Sequence, residues 1–128
     1  MLKSGIINPH LLAGLARLRH TDTIVIADAG LPIPRGIPAV DLAIIYGSPR
    51  FEDILRHIVP TIVAEGAILA EEARGGVVED WVEQLVDAPL GFVPHRDLKN
   101  LVQEASLVVR TGEDTPFANV ILRAGVPF

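Results

Sequence analysis

In the segment HTDTIVIADAGLPIPRGIP, residues 20–38, His20 and Asp28 bracket an apolar run, and a loop stiffened by Pro32, Pro34 and Pro38 follows. A free imidazole titrates near pH 6.5, so around neutrality it can both give and take a proton, and a carboxylate can orient it. Such a pair at the ends of a hidden strand would suit acid/base chemistry on a small molecule. Position alone also admits blander roles, and it leans towards them. Asp28 reads as a turn residue that bonds nearby backbone N–H groups. His20 reads as a helix-terminal residue favoured by the helix dipole. His10 and His57 fall inside amphipathic helical stretches and read as structural or surface residues.

Other chemistries drop out one by one. The chain has no cysteine, which removes disulfides, thiol catalysis and Cys-based zinc sites. HRDLKN, residues 95–100, resembles a kinase catalytic loop, but the position that needs Asn holds Val102. No glycine-rich phosphate loop of either common kind is present. Glu71 and Glu72 have no histidine at ligand spacing, so they read as a solvated surface rather than a metal site. The formal net charge of −5 argues against a nucleic acid or an anionic membrane as partner. No apolar run approaches a membrane span. The amphipathic N-terminus lacks the core of a signal peptide, so a cytoplasmic protein is expected. What is left is acid/base chemistry with no cofactor, no metal and no covalent nucleophile.

The elements that must position these residues follow from periodicity and caps. Asn8-Pro9 opens a helix over 9–19, with Leu11, Leu12, Leu15 and Leu18 on its inner face. TIVIA, 23–27, is apolar on both faces, as a strand covered on both sides should be. Further strands are expected at 39–46, within 61–73 (where Glu65 is an odd charge), and at 90–93, 107–111 and 119–125. Helices are expected from Ser48-Pro49 to about Val59, over 78–87 and over 95–105. This alternation predicts one α/β domain over residues 1–128, with a largely parallel sheet flanked by helices. Ligands of such sheets collect at the carboxyl ends of the strands, where Asp28 falls.

HTDTIVIADAGLPIP (20–34) and RTGEDTPFANVILRAGV (110–126) resemble the signature segments of the ribose/fucose mutarotase family, and the likeness runs over nearly the whole chain. Thr21-Asp22-Thr23 after His20, and Ala29-Gly30-Leu31-Pro32 after Asp28, resemble the ribose branch. The fucose branch carries a glycine after the histidine and an aromatic-proline pair after Asp-Ala. The resemblance implies interconversion of the pyranose and furanose forms of D-ribose without a cofactor. It also implies a ring-shaped homo-oligomer, a decamer of stacked five-membered rings, with sites near subunit contacts. It places the proton donor on His20 and sugar binding on Asp28, His95, Phe117, Ala118 and Asn119. Lys99, one helical turn after His95, is placed to line the same pocket. The family usually has tyrosine where this chain has Phe117, so one hydroxyl is missing from the expected site. Two further readings compete: a mutarotase for another sugar such as L-fucose, and a sugar-binding subunit without catalysis.

Overall fold

Asn8 and Pro9 start the first helix as their types predict. In the computed structural model, which describes residues 1–128, α1 spans Pro9–Arg17 and the Asn8 side chain accepts the Leu11 N–H at 3.0 Å. A cap of this kind is worth about 1 kcal/mol. The elements that follow are β1 (Thr23–Ala27), β2 (Ala39–Asp41), α2 (Phe51–Ile58), β3 (Ala64–Ala70), α3 (Val77–Leu85), β4 (Leu90–Val93), α4 (His95–Val102), β5 (Leu107–Arg110) and β6 (Val120–Ala124).

The strands form one six-stranded sheet in the order β2-β5-β1-β6-β3-β4. β1 and β2 pair in parallel with β5, and β3 pairs in parallel with β4. β6 lies antiparallel to both β1 and β3. The sheet is therefore mixed, which corrects the largely parallel arrangement expected from the alternation of strands and helices. The cause lies between β5 and β6, where no helix carries the chain back across the sheet. A parallel return needs a crossover of a dozen or more residues, so the chain turns and enters against its neighbours. The strand expected over 39–46 also stops early, at Asp41. There the Asp41 carboxylate accepts the Ala43 N–H at 3.0 Å and the chain turns out of the sheet.

Alternation along the strands decides the two faces. Ile24 and Ile26 of β1, Val109 of β5 and Leu122 of β6 join Leu11, Phe51, Leu55 and Val82 of α1, α2 and α3. Val25, Ala27, Val108 and Ile121 point the other way, onto Leu98 and Val102 of α4 and Leu31 of the proline-rich loop. Each fully buried aliphatic side chain contributes about 1.5–3 kcal/mol, so this two-sided burial is what fixes the strand register.

α2 begins at Phe51 rather than directly after Ser48-Pro49, because its cap comes from far along the chain. Arg50 occupies the cap position without a capping side chain, and Glu113 accepts the Phe51 N–H at 3.1 Å. The same carboxylate, 1% exposed, accepts from Arg50 Nη1 at 2.9 Å and from the Thr115 hydroxyl at 3.2 Å. Gly112 permits the close approach this requires: a Cβ there would lie 2.2 Å from the Ser48 carbonyl oxygen. Burial pushes the Glu113 carboxyl up, but the bonds from Arg50, Phe51 and Thr115 together outweigh it and hold it below the ordinary carboxylate range. The same contact with Glu113 raises the pKa of the Arg50 guanidinium. Since the folded value is depressed, the stabilisation is complete above the unfolded value of about 4.3 and is lost as pH falls through the folded value. Glu113→Gln should therefore cost about 1–3 kcal/mol at neutral pH, because it weakens a buried, charge-assisted cap. It should also flatten the loss of stability in acid. Urea midpoints followed from neutrality into the acid range test both effects, and midpoints matching the wild type throughout would remove Glu113 from this role.

Candidate functional site

β1 delivers Asp28 to the carboxyl edge of the sheet, and β6, running the other way, begins at the same edge just after Asn119. The two side chains pair reciprocally. The Asp28 N–H donates to Asn119 Oδ1 at 2.8 Å, and Asn119 Nδ2 donates to Asp28 Oδ2 at 3.0 Å. Asp28 Oδ1 accepts the Gly30 N–H at 2.9 Å, which is the turn-capping role that position alone suggested. Asp28 thus performs the local role and a long-range one together. Asn119 is fully buried, and the two bonds to Asp28 satisfy its amide oxygen and one of its N–H groups.

The loop around Asp28 is held from β5 as well. Arg110 donates to the Ala29 carbonyl through Nε (3.0 Å) and Nη2 (2.9 Å), while its Nη1 pairs with Asp41. The Ala29 N–H donates to the Glu113 carbonyl at 2.9 Å, and the Thr111 hydroxyl donates to the Ala27 carbonyl at 2.7 Å. A hollow of about 240 Å³ opens here, lined by Asp28, Gly30, Tyr46, Glu113 and Thr115 among others. A larger one of about 550 Å³ lies elsewhere, between the N-terminal segment, α1 and α2, and contains no carboxylate.

His95 and Phe117 join the same edge. Their rings meet edge to face with centroids 5.1 Å apart, and Phe117 holds a left-handed backbone with φ 62°. A bulky residue in that region costs of order 1–3 kcal/mol and is kept only where its surroundings impose it. The His95 N–H, first in α4, donates to Glu72 at 3.0 Å, so Glu72 is a helix cap and not only the solvated residue expected from sequence. Nδ1 of His95 is buried without a partner. An N–H there would be an unmet donor, so the less costly neutral form carries its proton on Nε2. Ala118 is fully buried and can offer a ligand only its backbone. Lys99 is exposed on α4, one turn after His95.

His20 is not at this edge. It follows α1 and precedes β1, whose five residues span roughly 15 Å before Asp28 is reached. Its Nε2 lies 3.1 Å from Glu65 Oε2, and Glu65 Oε1 forms an ion pair with Arg123 Nε at 2.9 Å. Within one chain the residues expected to share a site therefore divide, with Asp28, His95, Phe117, Ala118 and Asn119 at one edge and His20 at the other. Sequence inspection passed over Glu113, Arg110 and Glu65 as site-forming residues. Of these only Glu65, a charge inside an apolar strand, carried a visible signal.

Comparison with known proteins identifies the family. Residues 1–127 match the RbsD / FucU transport protein family. The chain is 50% identical over 128 residues to a D-ribose pyranase of Cutibacterium acnes, with 100% of both chains covered. The structure of Bacillus subtilis RbsD complexed with D-ribose superposes with a TM-score of 0.94 at 42% identity over 100% of each chain. FucU from Bifidobacterium longum gives 0.74 at 27% identity, covering 95% of this chain and 97% of that one. A match across the whole domain, to relatives with the same mixed sheet, leaves one assignment: the chain belongs to the RbsD / FucU family.

Proposed function

We propose that this protein is a D-ribose pyranase, a cytoplasmic isomerase without a cofactor that interconverts β-D-ribopyranose and β-D-ribofuranose through the open aldehyde. The observation that carries the reading is the full-length likeness to the ribose-bound relative, which exceeds the likeness to the fucose branch in both identity and superposition. Ring opening needs a proton delivered to the ring oxygen as the C1–O bond breaks, and the anomeric hydroxyl must lose its proton as the carbonyl forms. Rotation then lets a different sugar hydroxyl add to C1, with the proton transfers reversed. Each well-placed transfer supplies about 10²–10⁴ in rate, enough for a reaction that already runs slowly in water.

His20 is the proton donor in this scheme. Asp28, its carboxylate set by Asn119 and Gly30, accepts from sugar hydroxyls, and His95 donates through Nε2–H. Phe117 stacks on sugar C–H groups and supplies no hydroxyl. His20 reaches the sugar from a second copy of the chain in a homo-oligomer, a decamer of two stacked pentameric rings. An exposed apolar tip supports such a contact: Ile44, Ile45 and Tyr46 are 79%, 68% and 81% exposed, directly beside the hollow at Asp28.

Saturation-transfer NMR on ribose, with enzyme well below the sugar concentration, reads the exchange directly. His20→Ala should abolish it while thermal melting stays near the wild type, and exchange at the wild-type rate would remove His20 from the mechanism. Co-refolding inactive His20→Ala with inactive Asp28→Asn should restore about a quarter of the sites if the two residues act across copies. No recovery in mixed oligomers of normal size would overturn the assignment of His20 and Asp28 to one site across copies. Phe117→Tyr should raise kcat/KM for ribose about 2- to 10-fold, the worth of one added hydrogen bond. An increase for L-fucose with none for ribose would favour the other branch.

A further inference from the structure

Glu65 sits where β3 departs from regular pairing. Ala64 pairs with Ala124 and Gly66 with Arg123, so Glu65 is the extra residue of a bulge. Bulges re-aim a side chain that would otherwise alternate with its neighbours. The re-aimed carboxylate is held on both oxygens, by Arg123 Nε at 2.9 Å and by His20 Nε2 at 3.1 Å. Gly125 lies beside it: a Cβ there would stand in ordinary contact with Glu65, 3.4 Å from its Cβ and 3.5 Å from Oε2, and 3.0 Å from Val63 Cγ1.

The backbone that carries His20 is pinned with equal care. Thr21 adopts a left-handed φ of 74°, unusual for a β-branched residue, and its N–H donates to the Ala124 carbonyl at 2.9 Å. Asp22 closes the turn by accepting the Arg19 N–H at 2.7 Å. The His20 side chain is 53% exposed and that of Glu65 35%, so their pair adds little to stability. A bulge and a strained threonine around a contact of small energetic worth point to orientation as its purpose.

We infer that Glu65 is the positioning residue for His20: its carboxylate accepts the Nε2–H and so presents Nδ1 to the sugar. The doubly protonated imidazole gives its Nδ1 proton to the ring oxygen, and the neutral imidazole, left with Nε2–H, takes a proton back on Nδ1 when the new sugar ring closes. A carboxylate on one imidazole nitrogen fixes the ring's tautomer and its plane, leaving the other nitrogen free to act. This rests on His20 being the proton donor, and it moves the orienting role from Asp28, at the far edge, to Glu65.

Two readouts on the full-length protein test it: long-range proton–nitrogen NMR of the His20 ring, and ribose exchange by saturation transfer. In the wild type the neutral ring should carry its proton on Nε2. Glu65→Ala should give a mixture of tautomers and lower kcat on the order of tenfold to a hundredfold with KM little changed. Glu65→Asp should recover part of both. If Glu65→Ala leaves the Nε2–H form intact, or leaves kcat unchanged, the inference is overturned. A wild type that does not speed ribose exchange would sink the functional reading instead, while the ring spectra would still decide what Glu65 does to His20.

Discussion

β6 is hydrogen-bonded antiparallel to β1 on one side and to β3 on the other, so its two ends reach opposite edges of the sheet. Its entry places Asn119 against Asp28. Its exit places Arg123 and Gly125 against Glu65, and Ala124 against the turn that holds His20. A strand running with its neighbours would put both ends in the opposite places, and neither cluster would form. Burial fixes its register, because Val120, Ile121 and Leu122 are all inside and a slip of one residue would exchange their faces.

The two edges are built on different energetic terms. At the carboxyl edge Asn119, Thr111 and Glu113 are buried and each has partners, and removing one strands another in a medium that cannot solvate it. That edge is rigid for the same reason that it is costly to alter. At the amino edge the His20–Glu65–Arg123 contacts face solvent, where water and salt compete for each ion pair. Geometry there is set by backbone, through the bulge in β3 and the left-handed Thr21, rather than by the strength of the ion pairs.

Both non-glycine residues with left-handed backbone, Thr21 and Phe117, adjoin the proposed chemistry. One follows the proposed acid, and the other presents its ring to His95. Strain of this kind persists only where a well-packed scaffold imposes it, and the two-faced core supplies that scaffold from both sides. Division of the proposed site between opposite edges is the reason the proposal draws His20 from a second copy of the chain.

Local chemistry was legible without coordinates. Asn8-Pro9 capped α1, TIVIA alternated between two hydrophobic layers, and Asp28 capped its own turn, because each depends on residues a few places apart. The segments around His20 and Asn119 also carried the family likeness. What sequence left open were choices made by register and topology. The direction of β6 depended on a connection too short for a crossover. The cap of α2 came from Glu113, 62 residues away. The partner of His20 proved to be Glu65, 45 residues on, because a bulge re-aimed a charge whose position in the chain said only that it was out of place. Propensity and capping act over one turn of chain, whereas the meeting of distant side chains is decided only when the strands have paired.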